Sequence, residues 1–118
     1  MIIFIFERQK ITQNDPSEYI DKTVLKEFAK RLGVTTEIIL EHNKRTDVAE
    51  YRHLYCKLRR EMHDEKFSII ARELDRSHTA VRRGFDKIND LFYMGDEVTL
   101  ERWNKVKDIS CIPTIYDE

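Results

Sequence analysis

Apolar residues recur along most of this chain at intervals of three and four, the period of an amphipathic helix, with short polar or glycine breaks between the periodic stretches. Over "NDPSEYIDKTVLKEFAKRLGV", Ile20, Val24, Phe28 and Leu32 fall every four residues; Asp15 can cap this helix, Pro16 suits its first turn and Gly33 ends it. "TTEIILEHN" predicts a short helix capped by Thr35 or Thr36, with Ile38, Ile39 and Leu40 facing inward. After the polar, basic link "KRTD", the positions Val48, Tyr51, Leu54, Tyr55, Leu58 and Met62 mark one buried face of a long helix, from which Arg52, Lys57, Arg59 and Arg60 are expected to point away. "HDEK" breaks that helix. "FSIIAREL" predicts a short one with Phe67, Ile70, Ala71 and Leu74 inward, and "DRS" is a tight connection. Ser77 can cap the next helix, whose buried line is Val81, Phe85, Ile88 and Phe92. Gly95 interrupts it, and "EVTLERWNKVK" offers a last short helix with Leu100, Trp103 and Val106 on one face.

Two stretches lack the helical period. "MIIFIF" is β-favouring or an apolar arm, which either docks on the domain's own core or offers a self-association surface, because bare apolar patches rarely stay bare. "DISCIPTIYDE" has no period and reads as a loose tail. The pattern therefore predicts an all-α domain of about five to six helices over residues 16–93, preceded by an arm at 1–15 and followed by an extra short helix and tail at 94–118.

Composition narrows this further. A chain of 118 residues can bury one core, and only three Gly and two Pro among 36% charged residues fit a helix-rich soluble domain better than a β-sandwich or a disordered tail. The net charge of -1 gives no global signal for nucleic acid. Its distribution does: residues 41–92 hold twelve basic and ten acidic groups and all four histidines, whereas 93–118 hold three and six. A basic face is thus expected in the middle of the chain. Cys56 and Cys111 have no C-x-x-C spacing and read as small apolar fillers, so a reduced, cytoplasmic setting without a disulfide is the expectation. "MIIFIF" is far too short for a signal core or a membrane span.

Catalytic and metal chemistry leave little trace. The chain has no phosphate loop, no H-E-x-x-H and no G-x-S-x-G, and His53 and His63 lie ten residues apart, on no shared helical turn. No enzyme, metal or nucleotide cofactor is expected. Segment 67–92 is more telling: two helices joined by about three residues, the second opening on polar side chains, form the pattern of a helix-turn-helix. In that arrangement the start of the second helix enters the major groove, and the side chains there are Ser77, His78, Thr79 and Arg82. Hydroxyls and imidazole can donate or accept, a Thr methyl can touch thymine, and Arg suits guanine or phosphate. Arg83 and Lys87 lie just beyond. Each of these residues alone would equally fit a cap or a solvated face; together they favour DNA.

These residues also resemble a known family, the C-terminal DNA-binding domain of the bacterial chromosomal replication initiator DnaA. "RSHTAV", Arg76 to Val81, is similar to that family's R-D-H-T-T-V at the start of its recognition helix, and "KI" follows at Lys87 and Ile88. "VAEYRH", Val48 to His53, resembles V-A-R-P-R-Q, and "KRT" sits where the family has a basic loop. The resemblance covers about residues 18–92. It implies a Trp-repressor-like helical fold that recognises a short double-stranded DNA box, with His78 and Thr79 on base edges, Ser77 and Ala80 at base-reading positions, Lys44 and Arg45 in the neighbouring minor groove and Arg52 on phosphate. Arg76, Arg82, Arg83 and Lys87 are the further expected backbone contacts. Three departures stand out: Ser77 and Ala80 replace an Asp and a Thr, the turn is one residue shorter and lacks the paired glycines, and Glu50 and Tyr51 replace Arg and Pro. The initiator's ATPase module has no counterpart, so the expected role is that of a recognition domain, in replication-initiation control or in transcriptional regulation. The rival is a protein-interaction module of the same fold that has lost DNA binding.

Overall fold

A computed structural model describes residues 21–42 and 45–110. Six α-helices and no strand occur among the described residues: α1 (Thr23–Leu32), α2 (Thr36–Leu40), α3 (Thr46–Lys57), α4 (Phe67–Leu74), α5 (His78–Met94) and α6 (Glu97–Val106), with α3 running on into a π-helical turn at Leu58–Met62. The apolar arm, Asp15, Pro16 and Ile20, Lys44, and Cys111 with the rest of the tail lie outside the described residues; the helix expected to open at Asp15 and Pro16 begins instead at Thr23, whose N–H is accepted by the Asp21 carboxylate.

The helix boundaries follow local chemistry. Gly33 closes α1 in the left-handed conformation, its φ of 76° being open to glycine without strain. The Thr35 hydroxyl accepts the Ile38 N–H at the start of α2, the Ser77 hydroxyl accepts the Ala80 N–H at the start of α5, and an Asp96 carboxylate oxygen accepts the Thr99 N–H at the start of α6. Between α4 and α5 the left-handed position is Asp75, with φ of 56°. A short acidic side chain tolerates that region better than most, so the turn closes without a glycine.

Leu25, Phe28, Ile39, Leu54, Tyr55, Leu58, Ile70, Leu74, Val81, Ile88 and Val106 are the buried centre, drawn from every helix. α3 and α5 form the main packing pair. Their closest approach is at Gly84, where a Cβ would lie 2.5 Å from the His53 ring, so the crossing needs a residue without a side chain.

Several expectations are corrected by the packing. Ile38 is 39% exposed, because a helix of five residues has one inward position and Ile39 takes it. Met62 is 53% exposed, because the π-helical turn adds a residue per turn and rotates the end of the long helix off its buried stripe. Thr99 is buried in α6 where Leu100 was expected, and Leu100 is exposed. Arg52, Lys57 and Arg59 are buried rather than pointing away. Each is matched: Arg59 bonds to Glu73 at 2.6 and 3.0 Å, and Lys57 reaches Glu61 at 2.8 Å and Asn89 at 2.7 Å beneath the Phe92 and Trp103 rings.

Residues 107–110 are likewise not loose. Ile109 is buried, Arg31 bonds to an Asp108 carboxylate oxygen at 2.7 Å, and His63 meets the Ile109 carbonyl at 2.7 Å. α6 thereby clasps α1 and the end of α3.

Candidate nucleic-acid interface

The first turn of α5 stands out from the body of the domain. Ser77, His78, Thr79 and Ala80 are all exposed, and Val81 behind them is buried. The turn carries no acidic residue, and the N-cap at Ser77 fixes its entry. A helix N-terminus so presented offers free N–H groups and a positive end of the helix dipole. Arg82 and Arg83 follow, both exposed. α4 packs against α5 from one side, and the tight turn at Asp75 holds their angle.

The predicted cations separate into two groups. Arg52 is 9% exposed, with its guanidinium donating to the carbonyls of Ile39 at 2.9 Å and Glu41 at 3.5 Å. Arg76 donates to the carbonyl of Glu41 at 2.7 Å and to those of Leu40, Leu74 and Asp75 at 3.3, 3.0 and 3.1 Å. Both reach the C-terminal end of α2, Arg52 from the buried side and Arg76 from a half-exposed position. Two guanidiniums there satisfy carbonyls that a helix end leaves open, and complement the negative end of its dipole. Arg52 is thus buried where it was expected to point away, while Arg76 stays half-exposed; both guanidiniums tie the end of α2 to the rest of the domain.

Arg45 and Lys87, in contrast, remain exposed and come together. They line a cleft of about 450 Å³ between the start of α3 and the middle of α5, with Thr46, Glu50, His53 and Asp90. Arg45 pairs with Asp47 at 2.9 Å, a solvated ion pair that a phosphate can compete for. The hydrogen bond from Arg45, aided by its charge, holds the Asp47 carboxyl below the usual range. His53, on the cleft floor, is pushed down to about 4 by burial and by the charges of Lys87 and Arg52, so it is neutral at pH 7. Glu50, standing where the resembled motif has Arg, is held by Arg102 of α6 at 3.2 Å.

A second cluster was not legible in the sequence. Arg60 and Arg82 both lie over the ring of Phe67, at 4.8 and 5.3 Å from its centroid, and His78 meets the same ring edge-on at 6.0 Å. Arg60 comes from the π-helical turn, Phe67 from the start of α4, and the other two from α5. No linear spacing relates them; the one hint was the break at "HDEK", which brings the end of the long helix back beside α4. Thus His78, Arg82 and Arg60 meet at one ring, Arg45 and Lys87 share a cleft, and Arg52 and Arg76 are engaged by backbone carbonyls at the end of α2.

Among the described residues no group of three His, Cys, Asp or Glu could hold a metal ion, and no helix is long and apolar enough to cross a membrane. Cys56 is a buried free thiol, pushed up to about 12 by burial.

No curated protein and no solved structure matches the chain. A family model does: the one described as the bacterial dnaA protein helix-turn-helix matches residues 20–88, which takes in α1 to α4 and the first part of α5 with every exposed cation named above. With more than half its length matched, and with the turn and the presented helix start in place, the chain belongs to the bacterial DnaA helix-turn-helix family.

Proposed function

We propose that this protein binds double-stranded DNA with sequence preference, inserting the first turn of α5 in the major groove. Ser77, His78, Thr79 and Ala80 face base edges; Arg82, Arg83, Lys87 and Arg60 face phosphates; Arg45, with Lys44 in the link, reaches toward the adjacent minor groove. The observation that carries this reading is the exposed, acid-free and capped first turn of α5. Family membership supports it. Phosphate contacts set position and affinity, while the four first-turn residues set sequence. Ser77 accepts the Ala80 N–H with one lone pair, and its hydroxyl proton and second lone pair remain for a base edge. Ala80 offers only a methyl, suited to thymine. The preferred site therefore differs from that of a chain carrying Asp and Thr at these two positions. The cellular role proposed is control of replication initiation, through competition for initiator-type boxes, or transcriptional regulation.

The test is fluorescence anisotropy on duplexes carrying initiator-type boxes and on scrambled duplexes, across a salt series. Affinity is expected to fall steeply with salt, by about 0.9 in log–log slope for each neutralised phosphate. His78→Ala should erode preference more than total affinity. Arg83→Ala should weaken both duplexes alike and flatten the slope by about 1. Absence of binding at ~50 mM salt sinks the reading and favours the protein-interaction alternative.

A further inference from the structure

The arginines of this domain differ in what holds them: Arg52 and Arg76 donate to backbone carbonyls, and Arg102 lies over the Tyr51 ring at 4.8 Å as well as pairing with Glu50. Arg31, Arg45, Arg59 and Arg102 are each paired with a carboxylate, at 2.7, 2.9, 2.6 and 3.2 Å. Arg60 and Arg82 are held differently: both guanidiniums lie over the Phe67 ring, and Arg60 also donates to the Glu65 carbonyl at 3.1 Å. A carboxylate that orders an arginine also cancels its charge, whereas an aromatic face orders it and leaves the charge available to an incoming anion. The same ring meets the His78 imidazole at an interplanar angle of 78° and is backed by Phe85 at 5.4 Å. His78 and Arg82 are one helical turn apart in α5, so Phe67 touches two candidate DNA contacts on one helix and a third from another element. Phe67 is only half-buried, at the margin of the core. Filling space there would not require these three neighbours.

We propose that Phe67 is a positioning residue for DNA recognition, fixing the His78 imidazole and the Arg60 and Arg82 guanidiniums in their bound orientations before DNA arrives. The proposal rests on the DNA-binding reading above. Its physical content is entropic: a side chain already ordered in the free protein loses less freedom on binding, and each such side chain is worth roughly 2- to 10-fold in affinity.

The test uses the full chain. A duplex preferred by the wild type is selected from a random library, and affinities are measured on it and on a scrambled duplex across a salt series. Phe67→Leu should lose roughly 3- to 10-fold on the preferred duplex and less on the scrambled one, with the salt slope unchanged because no charge is removed. Phe67→Tyr keeps the ring and should restore the preference to within about twofold. Phe92→Leu removes another half-buried ring, one packed on Trp103 and Lys57, and should leave the preference unaltered. In the free protein, ring-current displacement of the His78 ring protons should be present in the wild type and Phe67→Tyr and absent in Phe67→Leu. Equal preference in Phe67→Leu and wild type overturns the proposal, as does equal loss in Phe92→Leu or failure of Tyr to restore it. If the wild type binds neither duplex, the DNA reading itself falls and takes this role with it; if the wild type discriminates and Phe67→Leu does too, only the positioning role falls.

Discussion

Replacing Glu73 by Ala is the sharpest test of how the helix-turn-helix is held to the rest of the domain. Glu73 is 2% exposed in α4 and accepts from the Tyr55 hydroxyl at 2.5 Å and from Arg59 at 2.6 and 3.0 Å. Arg59 in turn donates to His63 Nδ1 at 2.9 Å, and His63 Nε2 meets the Ile109 carbonyl, so one network joins α3, the π-helical turn, α4 and the residue that ends the described C-terminal clasp. Removing the carboxylate leaves a buried guanidinium without its main counter-charge, which costs about 3–5 kcal/mol, and a buried hydroxyl without its acceptor, about 1–3 kcal/mol. These overlap, since water entering the space serves both; about 4 kcal/mol is expected. Against a total of about 5–15 kcal/mol for a domain, that is severe. Urea unfolding followed at 222 nm and by Trp103 fluorescence should show a midpoint lowered by ~3 M, taking ~1.3 kcal/mol per molar for a domain this size. The double variant Arg59→Met, Glu73→Leu removes both charges and should be more stable than Glu73→Ala alone by at least ~2 kcal/mol. A Glu73→Ala protein within ~1 kcal/mol of the wild type would refute the buried-network reasoning.

Three further outcomes are expected. Stability should be nearly flat between about pH 7 and 8 and fall between about pH 6.5 and 4: the unfolded chain protonates His53 near 6.5 while the folded chain holds it neutral to about 4, worth roughly 3 kcal/mol at the lower end. His63 shifts the same way, through burial, and its neutral form is needed because Nδ1 accepts from Arg59 while Nε2–H donates to Ile109; His53→Gln should flatten the decline in denaturation curves at pH 7.5, 6 and 5, and an unchanged decline would count against the assignment. Arg52→Ala and Arg76→Ala should each lower stability by about 1–3 kcal/mol through the freed α2 carbonyls while leaving the salt slope of DNA binding within ~0.3 of the wild type; a slope reduced by a full phosphate would return them to the interface. Gly84→Ala gains about 1 kcal/mol of helix propensity but forces the His53 ring aside, and a net loss of ~1–2 kcal/mol is expected by thermal unfolding; a more stable variant would show that the α3–α5 crossing has room to spare.

The helices were legible because their signals are local. A four-residue apolar period over Val24, Phe28 and Leu32, the glycines at 33 and 95, and hydroxyl caps at Thr35 and Ser77 act within one or two turns, and the structure carries them at those positions. The short turn at Asp75 and the exposed start of α5 were legible for the same reason. Departures arose where a distant partner decides: nothing near Arg52 or Arg76 in the sequence says that α2's carbonyls will lie within reach, and nothing near Arg59 says that Glu73, fourteen residues on, will take its charge into the core. Met62 left its stripe because the helix locally changes period, a feature that a fixed 3.6-residue template does not register.

The candidate site divides along the same line. That the first turn of α5 carries Ser77, His78 and Thr79 outward follows from the period of Val81 and Ile88 alone, since burying those residues leaves the opposite face to solvent. Which cations remain available outside was decided only by the tertiary structure. A basic side chain in sequence is a charge on a long flexible stem, and whether it meets a carbonyl, a carboxylate or an aromatic ring depends on what folding brings within about 3–5 Å of its end. For Arg52 and Arg76 it brought backbone oxygens; for Arg60 and Arg82 it brought the ring of Phe67.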